Sequence, residues 1–125
     1  MPGRDDSGLG IRAVDLGPGV RAGFTSAVTG DLRAPVGRER ARAWAGVPLV
    51  LASQVHGTRL VWAGAPGDRP DCALCETNCE AAISDRNVGE ADAIGLSGPG
   101  AAAVIQVADC VPVLLADPVA RLACA

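Results

Sequence analysis

Two side chains of this 125-residue sequence combine reactive chemistry with a position at the end of a predicted strand. His56 lies in the segment 53–57 (Ser-Gln-Val-His-Gly), where an imidazole at the rim of a sheet suits proton transfer or metal binding. Cys110 lies between Asp109 and Val111 at a break between two apolar runs, so its thiol is a candidate nucleophile or ligand. Taken singly, each also fits a plainer role, an exposed hydrogen-bonding histidine or an inert buried cysteine.

A second group of thiols lies in the long stretch 64–89, which is rich in Gly, Pro, Asp and Asn. Cys72, Cys75 and Cys79 have the spacing C-x2-C-x3-C, which suits zinc or an iron–sulfur cluster if a fourth ligand comes from elsewhere. No second Cys-x2-Cys pair accompanies them, and the alternative is an insertion with reactive thiols. The composition predicts little secondary structure in this stretch.

The apolar pattern predicts one helix and several strands that position these residues. The helix spans 36–45, between a proline and a Gly-Val-Pro turn. His56 then lies between two strands, and Cys110 lies between two further strands whose continuous apolar character predicts burial on both faces. The predicted strands are 20–26, 49–55, 58–63, 101–107 and 111–116; residues 1–19 form a flexible lead, and another apolar segment begins at residue 119.

Composition limits the classes of protein and partner. The length suits one domain, and with three aromatic residues the core must consist of Val, Leu, Ile and Ala. All 11 basic residues are arginines, and 14 carboxylates bring the net charge to −3, which argues against a nucleic-acid partner. No apolar run is long enough to cross a bilayer and no secretory signal opens the chain, so we expect a cytoplasmic protein without a membrane partner. There the five cysteines would be thiols or metal ligands.

Three segments together resemble the laccase-domain, or multicopper polyphenol oxidoreductase, family. They are residues 53–57, residues 90–93 (Glu-Ala-Asp-Ala) and residues 108–118 (Ala-Asp-Cys-Val-Pro-Val-Leu-Leu-Ala-Asp-Pro), in the order and spacing of the family. The resemblance runs from about residue 20 to residue 125. It implies an α+β fold, in which mixed β-sheets packed with helices form a laccase-domain-like sandwich over residues 20–125, with the cysteine-containing insert at 64–89.

The resemblance also implies one metal site, with His56 and Cys110 as ligands and catalytic residues. The family's third ligand is a second histidine in a His-Ala-Gly-Trp stretch a few residues beyond the position of Ala125 in this sequence. We therefore expect a fold that is incomplete at the C-terminus and an impaired activity. Imidazole and thiolate ligands with one open position suit catalytic Zn²⁺, and the same ligands accept copper.

Four neighbours are expected to support this site. Asp92 and Asp109 would accept the free N–H of an imidazole or orient a nucleoside, although either carboxylate also fits a solvent-facing turn. Gln54 and Arg59 flank the histidine and would contact phosphate or sugar. The family's Thr-Ser-Arg substrate loop has its counterpart at residues 25–30, which lack that arginine, and this weakens the expectation of substrate binding.

The family members are described as zinc-dependent purine nucleoside phosphorylases, with adenosine deaminase activity besides. The resemblance thus implies a transferase that converts adenosine, inosine or guanosine and phosphate into the base and ribose 1-phosphate, with hydrolase activity on adenosine. Three alternatives stay open. They are a copper-loaded polyphenol oxidase (laccase), a metal-free thiol enzyme with Cys110 as nucleophile and His56 as base, and an inactive module that binds metal through Cys72, Cys75 and Cys79.

Overall fold

The computed structural model describes residues 8–64 and 85–125, which form one helix and nine strands. The α+β class and the mixed sheets expected from the sequence are confirmed. The elements are β1 (Ile11–Val14), β2 (Ala22–Thr25), α1 (Pro35–Ala45), β3 (Leu49–Ser53), β4 (Leu60–Gly64), β5 (Arg86–Glu90), β6 (Ala93–Ser97), β7 (Ala102–Ala103), β8 (Leu115–Asp117) and β9 (Leu122–Cys124).

Helix α1 forms where the sequence predicts it. Pro35 opens it, because a fixed φ suits the first helical turn and that turn needs no proline N–H. Gly46 ends it in the left-handed conformation (φ 73°) and donates its N–H to the Arg42 carbonyl at 2.8 Å. The buried face consists of Gly37 and Ala41, one turn apart, and such small residues allow the helix to approach its neighbours closely.

The strands form three sheets. Strands β1 and β2 pair antiparallel. Strand β3 lies between β5 and β7, and both pairings are parallel. The third sheet has the order β4-β6-β9-β8, with β4 and β6 parallel and the other two pairings antiparallel.

Strand β3 is the centre of the core. Leu49 and Leu51 pack with Leu32 and with Ala41 of α1. Val50 points the other way and packs with Ala63 of β4 and Ile94 of β6. Because successive side chains of a strand point to opposite faces, the continuous apolar run here matches a strand that is covered on both sides.

The structure corrects the prediction of little secondary structure before residue 89. Arg86–Glu90 form β5, which pairs with β3. The sequence Arg-Asn-Val-Gly-Glu has one strongly apolar residue, so pattern alone does not indicate a strand, and pairing with a buried neighbour decides it. Strand β6 was likewise not predicted.

The prediction of two strands buried on both faces around Cys110 is wrong. Of residues 101–107 only Ala102 and Ala103 pair as a strand, and of residues 111–116 only the last two belong to β8. Residues 111–117 alternate between exposed and half-buried, and Val111 is 85% exposed. Pro112 has no N–H for a ladder, and an apolar run by itself does not show that both faces are covered.

Two further expectations concern residues 1–19 and the three cysteines of the stretch 64–89. The stretch 1–19 contains β1, whose Ile11 is buried, while residues 1–7 lie outside the described part of the chain. Cys72, Cys75 and Cys79 also lie outside the described residues. In residues 8–64 and 85–125, the single helix is too short and too polar to cross a membrane.

Candidate metal-binding site

The candidate site lies where the chain passes twice from one sheet to another. Strands β3 and β5 are parallel neighbours, and the strands that follow them, β4 and β6, are parallel neighbours in a different sheet. Residues 54–59 form the long link from β3 to β4, and residues 91–92 form the short link from β5 to β6. Since Ser53 is in register with Glu90 and Leu60 with Ala93, the long link and the short link start and end side by side.

Backbone hydrogen bonds hold the two links together. The Ala91 N–H donates to the Ser53 carbonyl at 3.2 Å. The N–H groups of Asp92 and Ala93 both donate to the Arg59 carbonyl, at 3.1 and 3.3 Å. The short link is therefore attached to both ends of the long one.

The Asp92 carboxylate lies inside the turn that carries His56. Its Oδ1 accepts the N–H groups of Val55 at 3.0 Å and His56 at 2.9 Å, and its Oδ2 accepts that of Gly57 at 2.7 Å. These bonds, the one from Gly57 most of all, lower the pKa of Asp92 below its ordinary value. His56 itself is exposed and has a φ of 58°, in the left-handed region.

The Gln54 side chain binds the segment that leads to Cys110. Its Nε2 donates to the Gln106 carbonyl at 2.7 Å, and its Oε1 accepts the Gln106 N–H at 2.7 Å. Both atoms of the amide therefore bind backbone, as a neighbouring strand would. The sequence indicated Gln54 but not Gln106, because a backbone partner has no signature in its residue type.

Cys110 and Asp109 are exposed and belong to no strand. Arg59 is exposed as well. The structure thus joins the His56 backbone to the Asp92 side chain by a direct bond, and Gln54 joins the segment of His56 to the segment that leads to Cys110. The predicted role of Asp109 and Arg59 toward a substrate stays a prediction.

The metal requires at least three protein ligands if the site is of the catalytic zinc type. Within residues 8–64 and 85–125, no group of three or more His, Cys, Asp or Glu side chains is arranged to hold an ion. The donor chemistry of His56 and Cys110 nevertheless suits zinc or copper, and both side chains are accessible. These two residues therefore offer an ion two donors.

A broad cleft of about 1230 Å³ lies beside this site rather than at it. Its wall includes Leu49, Val104 and Ile105, and it reaches Gln54 and Gln106. His56, Asp92 and Cys110 do not line it. The reactive side chains are instead on the surface next to the cleft.

The comparison with protein families defines the class of protein. Residues 22–125 match the family model described as multi-copper polyphenol oxidoreductase laccase. The chain belongs to this family, which confirms the resemblance deduced from the three motif segments. The family is generally enzymatic and its name implies an association with copper or another metal. No curated protein and no solved structure matches the chain.

Proposed function

We propose that this protein is a metal-dependent purine nucleoside phosphorylase in which His56 and Cys110 bind Zn²⁺. The reaction transfers the ribosyl group of adenosine, inosine or guanosine to phosphate. A phosphate oxygen forms the new bond to C1′, the bond from C1′ to the base nitrogen breaks, and the base leaves with a proton. Adenosine deamination is proposed as a side activity, and the packed sheets are proposed to form the sandwich of the family.

The observation that carries this proposal is the meeting of the family's motif segments. Residues 53–57 and 90–93 are far apart in sequence and are bound through Asp92. Gln54 binds Gln106, two residues before the segment 108–118 that contains Cys110. Two of the three segments that carry the resemblance are thus bound to each other, and a residue close to the third is bound to the first, which supports a shared site.

Each residue has a role that its environment allows. His56 and Cys110 are exposed, so an imidazole nitrogen and a sulfur are accessible to an ion. A bound Zn²⁺ would supply a positive charge that orients phosphate or activates water. Arg59 and Asp109 are exposed and are proposed to contact phosphate and nucleoside. Gln54 already uses its amide in the link to Gln106, so its contribution is to position the two segments.

The proposal is tested by incubating the zinc-loaded chain with adenosine, inosine or guanosine, with and without phosphate. Chromatography measures the free base and ³¹P NMR measures ribose 1-phosphate. We expect both products only with phosphate, and loss of both in His56→Ala and Cys110→Ala. Asp15→Asn, which changes an exposed carboxylate that lies outside the family match and accepts the Gly17 N–H, is the matched control and should keep the activity.

Two results would overturn the proposal. One is the absence of phosphate-dependent base release from a chain shown to contain one equivalent of zinc. The other is full activity after the metal has been removed by a chelator, which would indicate the thiol enzyme instead. Oxidation of a phenol by the copper-loaded chain, without nucleoside cleavage, would favour the polyphenol oxidase.

A further inference from the structure

We propose that Asp92 is a positioning residue that acts on His56 through the backbone of its turn, and that it is not a ligand of substrate or metal. The consequence for metal binding rests on the proposed function. The positioning of the turn by Asp92 is inferred from the hydrogen bonds of residues 55–57 alone.

The backbone of the His56 turn uses both oxygens of the Asp92 carboxylate. Three successive N–H groups, those of Val55, His56 and Gly57, converge on the two oxygens of Asp92. Converging backbone amides of this kind form an anion-binding concavity, and here an anion of the same chain fills it. Because three of about four lone-pair positions of the carboxylate accept bonds from the turn, we infer that it serves the backbone rather than an imidazole or a nucleoside.

The hydrogen bonds to Asp92 maintain an unusual backbone conformation at His56. His56 has a φ of 58°, which is disfavoured for residues with a Cβ. The N–H of His56 and those on either side of it are bound to one carboxylate, so the turn does not relax to an extended form without losing them. The direction in which the imidazole leaves the backbone is set by this turn.

Backbone hydrogen bonds hold Asp92 itself in place. Its own N–H donates to the Arg59 carbonyl, and the N–H of Ala91 donates to the Ser53 carbonyl. Ala91 is fully buried. The backbone of the short link is thus attached to both ends of the His56 turn while the side chain of Asp92 fills its interior.

The shape of the turn agrees with this arrangement. A Cβ added to Gly57 would lie 3.3 Å from Asp92 Oδ2, closer than most such contacts. The carboxylate has no freedom to retreat, since its other oxygen is bound to two amides. A residue without a side chain at position 57 therefore allows the close approach on which the short bond depends.

His56 is the sole histidine of the chain, so its imidazole gives one readily assigned pair of ¹H–¹³C NMR signals. The experiment compares these signals, and the amide signals of residues 55–57, in the native chain and in Asp92→Asn, Asp92→Glu and the control Asp15→Asn. Zn²⁺ is then titrated while the imidazole signals are followed. Cys110 is monitored in parallel by its rate of alkylation, in chains that carry Cys72→Ser, Cys75→Ser and Cys79→Ser.

We expect Asp92→Asn to shift or broaden the imidazole and amide signals and to weaken Zn²⁺ binding at His56 by about tenfold, the scale seen when a residue that orients a ligand is lost. Asp92→Glu should restore part of the affinity because it restores the charge. Alkylation of Cys110 should stay at the native rate, whereas a general loss of structure would change it. Asp15→Asn should leave every signal from residues 55–57 unchanged.

Native signals and native Zn²⁺ affinity in Asp92→Asn would overturn the inference. If that variant does not fold, amide hydrogen exchange of the native chain decides: protection at residues 55–57 supports the inference, and free exchange there overturns it. Failure of the proposed function has a different result. In that case Zn²⁺ leaves the imidazole signals of the native chain unchanged, while the amide protection and the effect of Asp92→Asn on the turn persist.

Discussion

The two proposed ligands lie on parts of the chain that are held very differently. The His56 turn rests on β3 and β6, whose Val50 and Ile94 are fully buried, and its amides are bound to Asp92. The Cys110 segment leaves β7 after two paired residues. Beyond Gln106, residues 107–111 are exposed and belong to no strand.

This difference separates two ways of placing a ligand. The backbone at His56 is held by neighbours from two sheets, so placing it would cost little if a metal bound there. The cysteine is attached at a distance, through the amide of Gln54, and its own surroundings are exposed. We expect substitutions in the core to disturb the His56 turn. We expect loss of the hydrogen bonds between Gln54 and Gln106 to disturb the Cys110 segment.

The largest expected effect comes from the core beneath the His56 turn. Ile94→Ala should lower the free energy of unfolding by about 3 kcal/mol, because it removes a fully buried side chain and leaves a cavity. Val111→Ala, in the exposed cysteine segment, should change it by less than about 0.5 kcal/mol. Urea unfolding followed by circular dichroism measures both. Equal losses would show that the two regions are not held differently.

Loss of the hydrogen bonds between Gln54 and Gln106, which connect the two regions, should have an intermediate effect on the free energy of unfolding. Gln54→Ala removes two hydrogen bonds and leaves the backbone of Gln106 without these partners, at a cost of about 1–2 kcal/mol. It should also reduce the metal affinity that depends on Cys110. The control is Gln106→Ala, which keeps both bonds because only the backbone of residue 106 takes part. If the control loses as much stability as Gln54→Ala, the link is not the cause.

A smaller effect is expected at the start of β3, on the histidine side, when the protein is acidified. Asp85 accepts hydrogen bonds from the Arg42 side chain and from the Leu49 N–H, and the bond from Arg42 contributes most to lowering the pKa of Asp85. A carboxyl group with a lowered pKa stabilises the fold above its unfolded-state value and loses that contribution as the pH falls through the folded pKa.

Between neutral pH and about pH 3, the loss from Asp85 should be below about 1 kcal/mol, since Arg42 is partly exposed and water screens the pair. Asp85→Asn should flatten the dependence of Tm on pH over this range. An unchanged acid slope in that variant would exclude the ion pair as its source.

Alkylation of Cys110 should have the smallest effect on stability, and the order in which the cysteines react measures their exposure. Cys110 is exposed, whereas burial raises the pKa of the half-buried Cys124. Alkylation near neutral pH should therefore modify Cys110 before Cys124 and leave the unfolding transition nearly unchanged. Peptide mass spectrometry after limited labelling measures the order. Faster labelling of Cys124 would contradict the exposure assigned to the cysteine segment.

The same contrast explains what was predictable from the sequence. Helix α1 and strands β3 and β4 follow local signals, namely a proline, a glycine and compact apolar runs, and their positions were predicted closely. The position of His56 after β3 follows from the same pattern. Strand β5 lacks an apolar pattern and exists because it pairs with β3, a contact that local sequence does not encode.

The site shows the same division between local and long-range information. Asp92 was singled out by its motif, but its use by three amides depends on two links that run side by side in the fold. For residues 101–116 the apolar pattern suggested two buried strands. The structure leaves residues 101–106 half-buried and residues 107–111 exposed, because composition does not specify what packs against a segment.

The central claim is that His56 and Cys110 bind the same ion. Titration with Co²⁺ tests it most directly, in a chain carrying Cys72→Ser, Cys75→Ser and Cys79→Ser. We predict that one equivalent of Co²⁺ produces a thiolate-to-cobalt absorption band and shifts the imidazole signals of His56 together, and that Cys110→Ala removes the band and weakens the shift. A band that forms while the His56 signals stay unchanged would contradict the claim.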